Sequence, residues 1–263
     1  MTRIRPESQY DFIPLTHKEI VEAYASNSAV TAYVEEIYPD LEVVKVKLGN
    51  DITATLPFSE FTIYPLRYSN KYSDNIPTNI RCMYTQKIRV KITYVDGDNV
   101  TVSRKQNMQE AYENLLVTQR TPMLITEVIQ KTGFGDVGDG ITGKILINDV
   151  CRTHIRHVKE RLSKGEIIDV VILGADAEQR FAVSYKDTFK EYQKEDYPVG
   201  TKICGRIGDW IKVGSTSTYY VEVTPQVPAI LTIFEHCHLK YGTTVECVVT
   251  GANEKGLYLK LAK

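Results

Sequence analysis

"VVILGADAEQRFAVSYK", residues 170–186, sets against "CVVTGANEKGLYLKLAK", residues 247–263, without a gap, so that Gly174 falls on Gly251 and Lys186 on Lys263. Each stretch reads as an apolar strand, a turn carrying Gly, Asp or Asn, and a second strand of alternating character, the pattern of a tight antiparallel hairpin. "KITYVDGDNVTVSRK" (91–105) follows the same plan in a shorter stretch. Three copies of one hairpin mark an internal repeat, which has to be settled before any motif is interpreted.

Upstream of each hairpin lies a second shared block: "NDITATLPFSEF" (50–61), "DGITGKILINDV" (139–150) and "PQVPAILTIFEH" (225–236), each a small-residue bend followed by an apolar strand. Further upstream come "AVTAYVEEIYPDLEVVKVKL", "MLITEVIQKTGFGDV" and "KICGRIGDWIKV", rich in the Val, Ile and Tyr that favour strands. Each unit therefore holds about five short strands, which bury one face only by curling into a small barrel. The chain is read as mainly β, with three consecutive five-stranded barrels. The alternative, a single β-sandwich, leaves the gap-free match of the last two hairpins to coincidence.

The division that follows is an N-terminal helix and arm over 1–27, a first barrel over 28–105, a linking helix over 106–118, a second barrel over 119–190 and a divergent third barrel over 198–263. In the N-terminal segment Thr16 and Glu19 have capping-box spacing, with Ile20, Val21 and Tyr24 on one helix face, a face expected to pack on the first barrel. After "VTVSRK" (100–105) the period changes. Met108, Ala111, Tyr112 and Leu115 recur at helical spacing, and Pro122 ends the run. "YKDTFKEYQKEDYPVG" reads as a polar linker ending at Pro198.

Hydrophobic residues at 43% and charged residues at 25% describe a soluble globular chain. No apolar run is long enough to span a membrane, and "MTRIRPESQYDF" lacks the apolar core of a secretion signal, so a cytoplasmic location is expected. Five scattered cysteines in no CxxC pair fit a reducing compartment. "CRTHIRH" (151–157) and "EHCHLK" (235–240) bring sulfur near imidazole, but neither has the second ligand pair that a structural zinc requires, and neither metal nor cofactor is expected.

A net charge of −1 gives no global pull on a polyanion, so any nucleic-acid surface must be local. The densest basic run is "CRTHIRHVKERLSK" (151–164), with Arg152, Arg156, Lys159, Arg161, Lys164, His154 and His157 against the single acid Glu160. It falls between the third and fourth strands of the second barrel and reads either as a phosphate-contacting edge or as a solvated face. "GFGDVG" (133–138) matches the dinucleotide fingerprint in form only. An extended stretch follows in place of a helix, and Asp136 and Asp139 oppose an anion, so the glycines are read as a bend between strands. No catalytic motif appears, and the serines of "SRK" and "SYK", Ser103 and Ser184, repeat at strand ends as a shared fold role. The chain is not expected to be an enzyme.

"GITGKILINDV…IRHVKERLSKGEIIDVVILGADAEQRFAVSYK" resembles the RNA-binding repeat of ribosomal protein S-one, which also occurs in polynucleotide phosphorylase and initiation factors. "DITATLPFSEFT…IRVKITYVDGDNVTVSRK" resembles the same repeat, so the likeness covers roughly 28–190. The third copy shares only "VPAILT" and "VECVVTGANEKGLYLKLAK". The resemblance implies an oligonucleotide-binding (OB) fold with single-stranded RNA across one face. Bases stack on aromatics of the second and third strands, and basic and polar side chains hold the backbone.

Carried over residue by residue, Asp176 and Arg180 take the acidic and basic positions around the last hairpin of the second unit, and Phe134 lies at or one place from the second-strand aromatic. Lys144, Arg152 and Arg156 are the further RNA-binding residues there, and Tyr38 is the stacking candidate of the first unit. The pattern also departs: Leu146 and Pro57 stand where the family has a third-strand histidine, and Asn99 is nearest the first unit's hairpin arginine. Trp210, Tyr219 and Tyr220 of the third unit have no secure family position; each fits barrel core equally, and for the two tyrosines the edge of a strand is the favoured reading. The implied partner is single-stranded RNA, with single-stranded DNA as a second ligand. The rival reading is a docking or structural component of a ribosome, polymerase or virion whose barrels have lost nucleic-acid binding.

Overall fold

The computed structural model describes residues 4–233 and 238–262. The strands form three closed five-stranded barrels. The first contains β1 (Ala29–Tyr38), β2 (Val43–Lys47), β3 (Thr53–Pro57), β4 (Lys87–Asp96) and β5 (Asn99–Ser103). The second contains β6 (Arg120–Val128), β7 (Thr132–Asp136), β8 (Thr142–Leu146), β9 (Ile167–Ala175) and β10 (Phe181–Ser184). The third contains β11 (Lys202–Val213), β12 (Thr216–Thr224), β13 (Val227–Ile233), β14 (Thr244–Asn253) and β15 (Gly256–Leu261). Each barrel has its strands in the same cyclic order, with the fifth between the third and fourth. The helices are α1 (His17–Ala25), α2 (Thr78–Arg81), α3 (Arg104–Asn114) and α4 (Ile147–Val150).

By compactness the chain divides into two units. One runs to Leu124 and adds Gly135–Gly143 and Gly174–Phe181; the other holds Ile125–Phe134, Lys144–Leu173 and the described residues from Ala182 on.

In the first unit the period-two alternation of β2 turns Val44 and Val46 inward and Lys45 and Lys47 outward. Parallel pairing of β3 with β5, Ala54 opposite Val100, closes the barrel around these side chains, Leu56, Ile88 and Val102. Bulges at Val34/Glu36 and Ile92/Tyr94 give the long strands β1 and β4 the curvature closure needs. Helix α1 starts at the expected capping box, but its buried residues are Ile20 and Ala23, while Val21 and Tyr24 are exposed. Three residues on from Ile20, the small Ala23 lets the helix lie close to the barrel.

Ser103 accounts for the end of β5. Its buried hydroxyl accepts the Gln106 backbone N–H at 3.0 Å, capping α3, and donates to the Glu60 carboxylate at 2.6 Å. Ser184, at the end of β10, accepts the Asp187 N–H at 3.3 Å and starts a short turn in the same way. The repeated serine is a terminator of barrels.

In the third barrel, β13 pairs in parallel with β15, Ala229 opposite Leu257, and the core holds Ile207, Val221, Leu231 and Val249. Tyr219 is 0% exposed and belongs to that core. The expectation that both tyrosines sit at a strand edge is corrected: β12 runs straight through them, so consecutive residues face opposite sides, Tyr219 inward and Tyr220 outward.

Of the three "GFGDVG" glycines, Gly138 sits at the expected bend, whereas the other two are placed differently from expectation. Gly133 and Gly135 lie within β7, where close packing excludes a side chain: a Cβ at Gly133 would stand 2.8 Å from Ile145 Cγ2, and one at Gly135 would strike the Leu124 carbonyl. The bend falls after them, at Gly138 and Gly140, both with positive φ.

Candidate nucleic-acid interface

Tyr38 ends β1 half-exposed, its hydroxyl donated to the Glu36 carboxylate, so the ring is held at the barrel surface. In the same unit Asp176 and Arg180 occupy the turn between β9 and β10 and organise it together. Asp176 accepts the backbone N–H of Glu178 at 2.9 Å and of Arg180 at 3.0 Å, and its other oxygen accepts Arg180 Nε at 2.9 Å. Burial raises the Asp176 carboxyl, but the amide and guanidinium of Arg180 outweigh it and hold the group below its ordinary value. Arg180 also pairs with Glu178 at 2.9 Å, so this guanidinium is shaped by two acids.

In the second unit Phe134 lies half-buried at an outward position of β7, and Lys144 at an outward position of the neighbouring strand β8. An outward aromatic and an outward cation on neighbouring strands are the residue types that a stacked base with its phosphate uses. Leu146, 46% exposed, continues that face as an apolar side chain.

The basic run is largely occupied from within the chain. Arg152 reaches Asp187 at 3.4 Å and Glu191 at 3.2 Å. Arg156 donates to Asp209 through Nε at 2.6 Å and stacks 4.0 Å over the Tyr241 ring, and His154 meets the same Asp209 at 2.8 Å. Arg161 pairs with Glu222. Hydrogen bonds from Arg156 are the chief reason the Asp209 carboxyl sits below its ordinary value. Glu160 accepts from Tyr241 at 2.7 Å, and burial together with this acid pushes the Tyr241 hydroxyl up to about 12.

Sequence reasoning missed a buried charged cluster in the first unit. Glu7 of the N-terminal arm receives Arg104 Nη2 at 2.7 Å and Nε at 2.9 Å, both side chains almost fully buried. The Glu7 backbone N–H donates at 2.7 Å to Asp136, which also accepts Gly138 N–H at 2.8 Å and Gly140 N–H at 3.1 Å. Burial first, then the Glu7 carboxylate, pushes Asp136 up to about 7 against the pull of these amides and Arg104. Asp139 is raised to about 6, chiefly by burial. These acids, which in the sequence opposed a passing phosphate, are structural acceptors for the arm. The one signal was Arg104 itself, a cation directly after a strand end.

Among the described residues no three His, Cys, Asp or Glu side chains converge to hold a metal. Cys82, Cys151, Cys204 and Cys247 are free, while His236 and Cys237 of the "EHCHLK" stretch lie outside the described residues. No described helix is long and apolar enough to cross a membrane.

Three closed barrels of one strand order, each ending in the same hairpin, make this a tandem OB-fold protein. No family model matches the chain. It is 24% identical over 263 residues to small ribosomal subunit protein bS1 of Staphylococcus saprophyticus, covering 95% of this chain and 60% of that protein. To bS1 of Staphylococcus aureus it is 28% identical over 180 residues, covering 63% and 45%, and to bS1 of Chlamydia trachomatis 25% over 159 residues, covering 56% and 27%. The chain thus spans 60% or less of the length of these relatives. Among solved structures, a multidomain protein with nucleic acid binding domains from Streptococcus pneumoniae aligns over 90% of this chain and 74% of that one, at 14% identity and a TM-score of 0.23. The relatives and the three barrels together support OB-fold repeats of the ribosomal S-one type.

Proposed function

We propose that the chain is a non-enzymatic, cytoplasmic protein that binds single-stranded RNA through tandem OB barrels in association with the ribosome, its barrels divided at 28–105, 119–190 and 198–263. The second barrel is the main contact: Phe134 stacks a base and Lys144 meets the adjoining phosphate. Arg180, oriented by Asp176, engages the backbone at the last hairpin, and Tyr38 supplies a further ring from the first barrel. The observation that carries this reading is the outward placement of Phe134 and Lys144 on adjoining strands. Stacking is indifferent to base identity, so binding should tolerate many sequences.

The test is anisotropy of a labelled, unstructured RNA of about 12 nucleotides titrated with the full chain and its Phe134→Ala variant, with single-stranded DNA as competitor. Loss of one stacked base, about 1–3 kcal/mol, weakens binding at least fivefold. Equal affinity of variant and parent would remove Phe134 from the interface.

A second reading, a docking or structural component whose barrels no longer bind RNA, is favoured by one observation. Arg152, Arg156 and Arg161 are already paired with Asp187, Glu191, Asp209 and Glu222. Under that reading the full chain leaves the labelled RNA free at any attainable concentration.

A further inference from the structure

"RYSNKYSD", residues 67–74, is a four-residue unit written twice: a cation, a tyrosine, a serine, and an Asn or Asp. It belongs to the long connection between β3 and β4 of the first barrel, and interleaves aromatic rings with positive charge. Tyr68 is 58% and Tyr72 52% exposed. The Tyr72 ring is held in place, with the Arg81 guanidinium 4.1 Å over its face and Arg81 paired to Asp74. Tyr68 lines an open cleft of about 580 Å³ whose other walls are Pro39, Asp40, Leu41, Glu42 and Asn75. The far wall is fixed by backbone bonds: Glu42 N–H donates to Pro39 at 3.1 Å, and its carbonyl accepts Phe58 N–H at 2.8 Å.

We infer that this cleft takes one base of single-stranded RNA, stacked on Tyr68, with Arg67 and Lys71 on the flanking phosphates and Tyr72 as the next stacking platform. The inference rests on the RNA-binding reading and extends it to a part of the first barrel outside the strands where the resemblance places RNA. The cleft is wide enough to admit a nucleobase beside the Tyr68 ring, with Pro39 and Leu41 as its apolar walls. Asp40 and Glu42 present acceptors, so the base that fits carries an exocyclic amine: adenine, cytosine or guanine. Uracil offers one ring N–H flanked by two carbonyls, so it satisfies at most one of these carboxylates and brings its oxygens against them. Exposed rings separated by cations and small polar residues match a platform that stacks bases and meets the phosphates between them.

Position supports a continuous path. Arg67 reaches Glu178 at 3.9 Å, and Tyr64, just before the repeat, donates to the Gln179 carbonyl at 3.4 Å and accepts Thr142 N–H at 2.8 Å. The connection therefore lies against the turn that bears Asp176 and Arg180.

The experiment uses the full chain and two labelled RNAs of about 12 nucleotides, one adenosine-rich and one of uridine alone, followed by anisotropy and by ultraviolet crosslinking with peptide mapping. The expected result is tighter binding of the adenosine-rich RNA, at least fivefold weaker binding of it by Tyr68→Ala, retention by Tyr68→Phe, and a crosslinked peptide containing Tyr68. If the parent binds RNA and both Tyr68→Ala and Tyr72→Ala match it, the inference fails while the RNA-binding reading stands. If the parent binds neither RNA, both fall together. Exposure of both rings keeps loss of folding from mimicking loss of binding.

Discussion

Asp136 stands among three backbone amides and within reach of both a buried carboxylate and a buried guanidinium, so its protonation reports directly on the packing of the N-terminal arm. Its folded value of about 7, and that of about 6 for Asp139, lie above the ordinary 3.8 of an unfolded aspartate. Between those limits the native state holds protons that the unfolded chain has released. The contribution to stability is therefore full below the unfolded value and is lost as pH rises through the folded ones. Urea unfolding should give a higher midpoint at about pH 5 than at about pH 8, and Asp136→Asn should flatten the difference. An identical pH profile in parent and variant would contradict the placement of Asp136. None of this was legible in the sequence. Glu7 and Arg104 are 97 residues apart and Glu7 and Asp136 are 129 apart, and no local pattern connects them.

At the scale of elements, the features read correctly are those written by neighbouring residues. Turn residues flanked by alternation gave the hairpins, and Thr16 with Glu19 gave the start of α1. The errors concern faces, which are set by what each element packs against. Tyr219 and Tyr220 differ by one residue in a strand and so by a whole barrel wall, and α1 buries Ala23 in place of Tyr24. Two substitutions test the element assignments. Ser103→Ala removes the cap of α3 and the donor to Glu60, and should cost about 1–2 kcal/mol in chemical denaturation. Ser184→Ala, with its 3.3 Å contact opening only a short turn, should cost less. Gly135→Ala drives a methyl group into the Leu124 carbonyl and should destabilise by about 1–3 kcal/mol, whereas Gly174→Ala enters open space and should leave the unfolding midpoint in place. Equal costs at the two glycines would show that β7 is packed otherwise.

For the whole molecule, a near-zero net charge with one basic run looked in the sequence like a local phosphate site, but a count of charges says nothing of their partners. Asp187, Glu191, Asp209 and Glu222 lie 35 to 61 positions further along the chain from the arginines they pair with, and in the fold they neutralise the run's arginines. What the sequence did show at this scale, the triple repeat, was legible because each copy closes its own barrel with the same hairpin. The cations of the proposed sites are then those elsewhere, Lys144 and Lys71 together with Arg180 and Arg67, which are themselves paired with Asp176 and Glu178, few enough that stacking on exposed rings must supply much of the affinity. The most direct test of RNA binding through these barrels is the salt dependence of the full chain's affinity for a labelled, unstructured RNA, measured at two salt concentrations. The account predicts binding that weakens with salt by a shallow slope, about −0.7 per phosphate contacted over only a few contacts, and persists when salt is raised. No binding at tens of micromolar in low salt would contradict it.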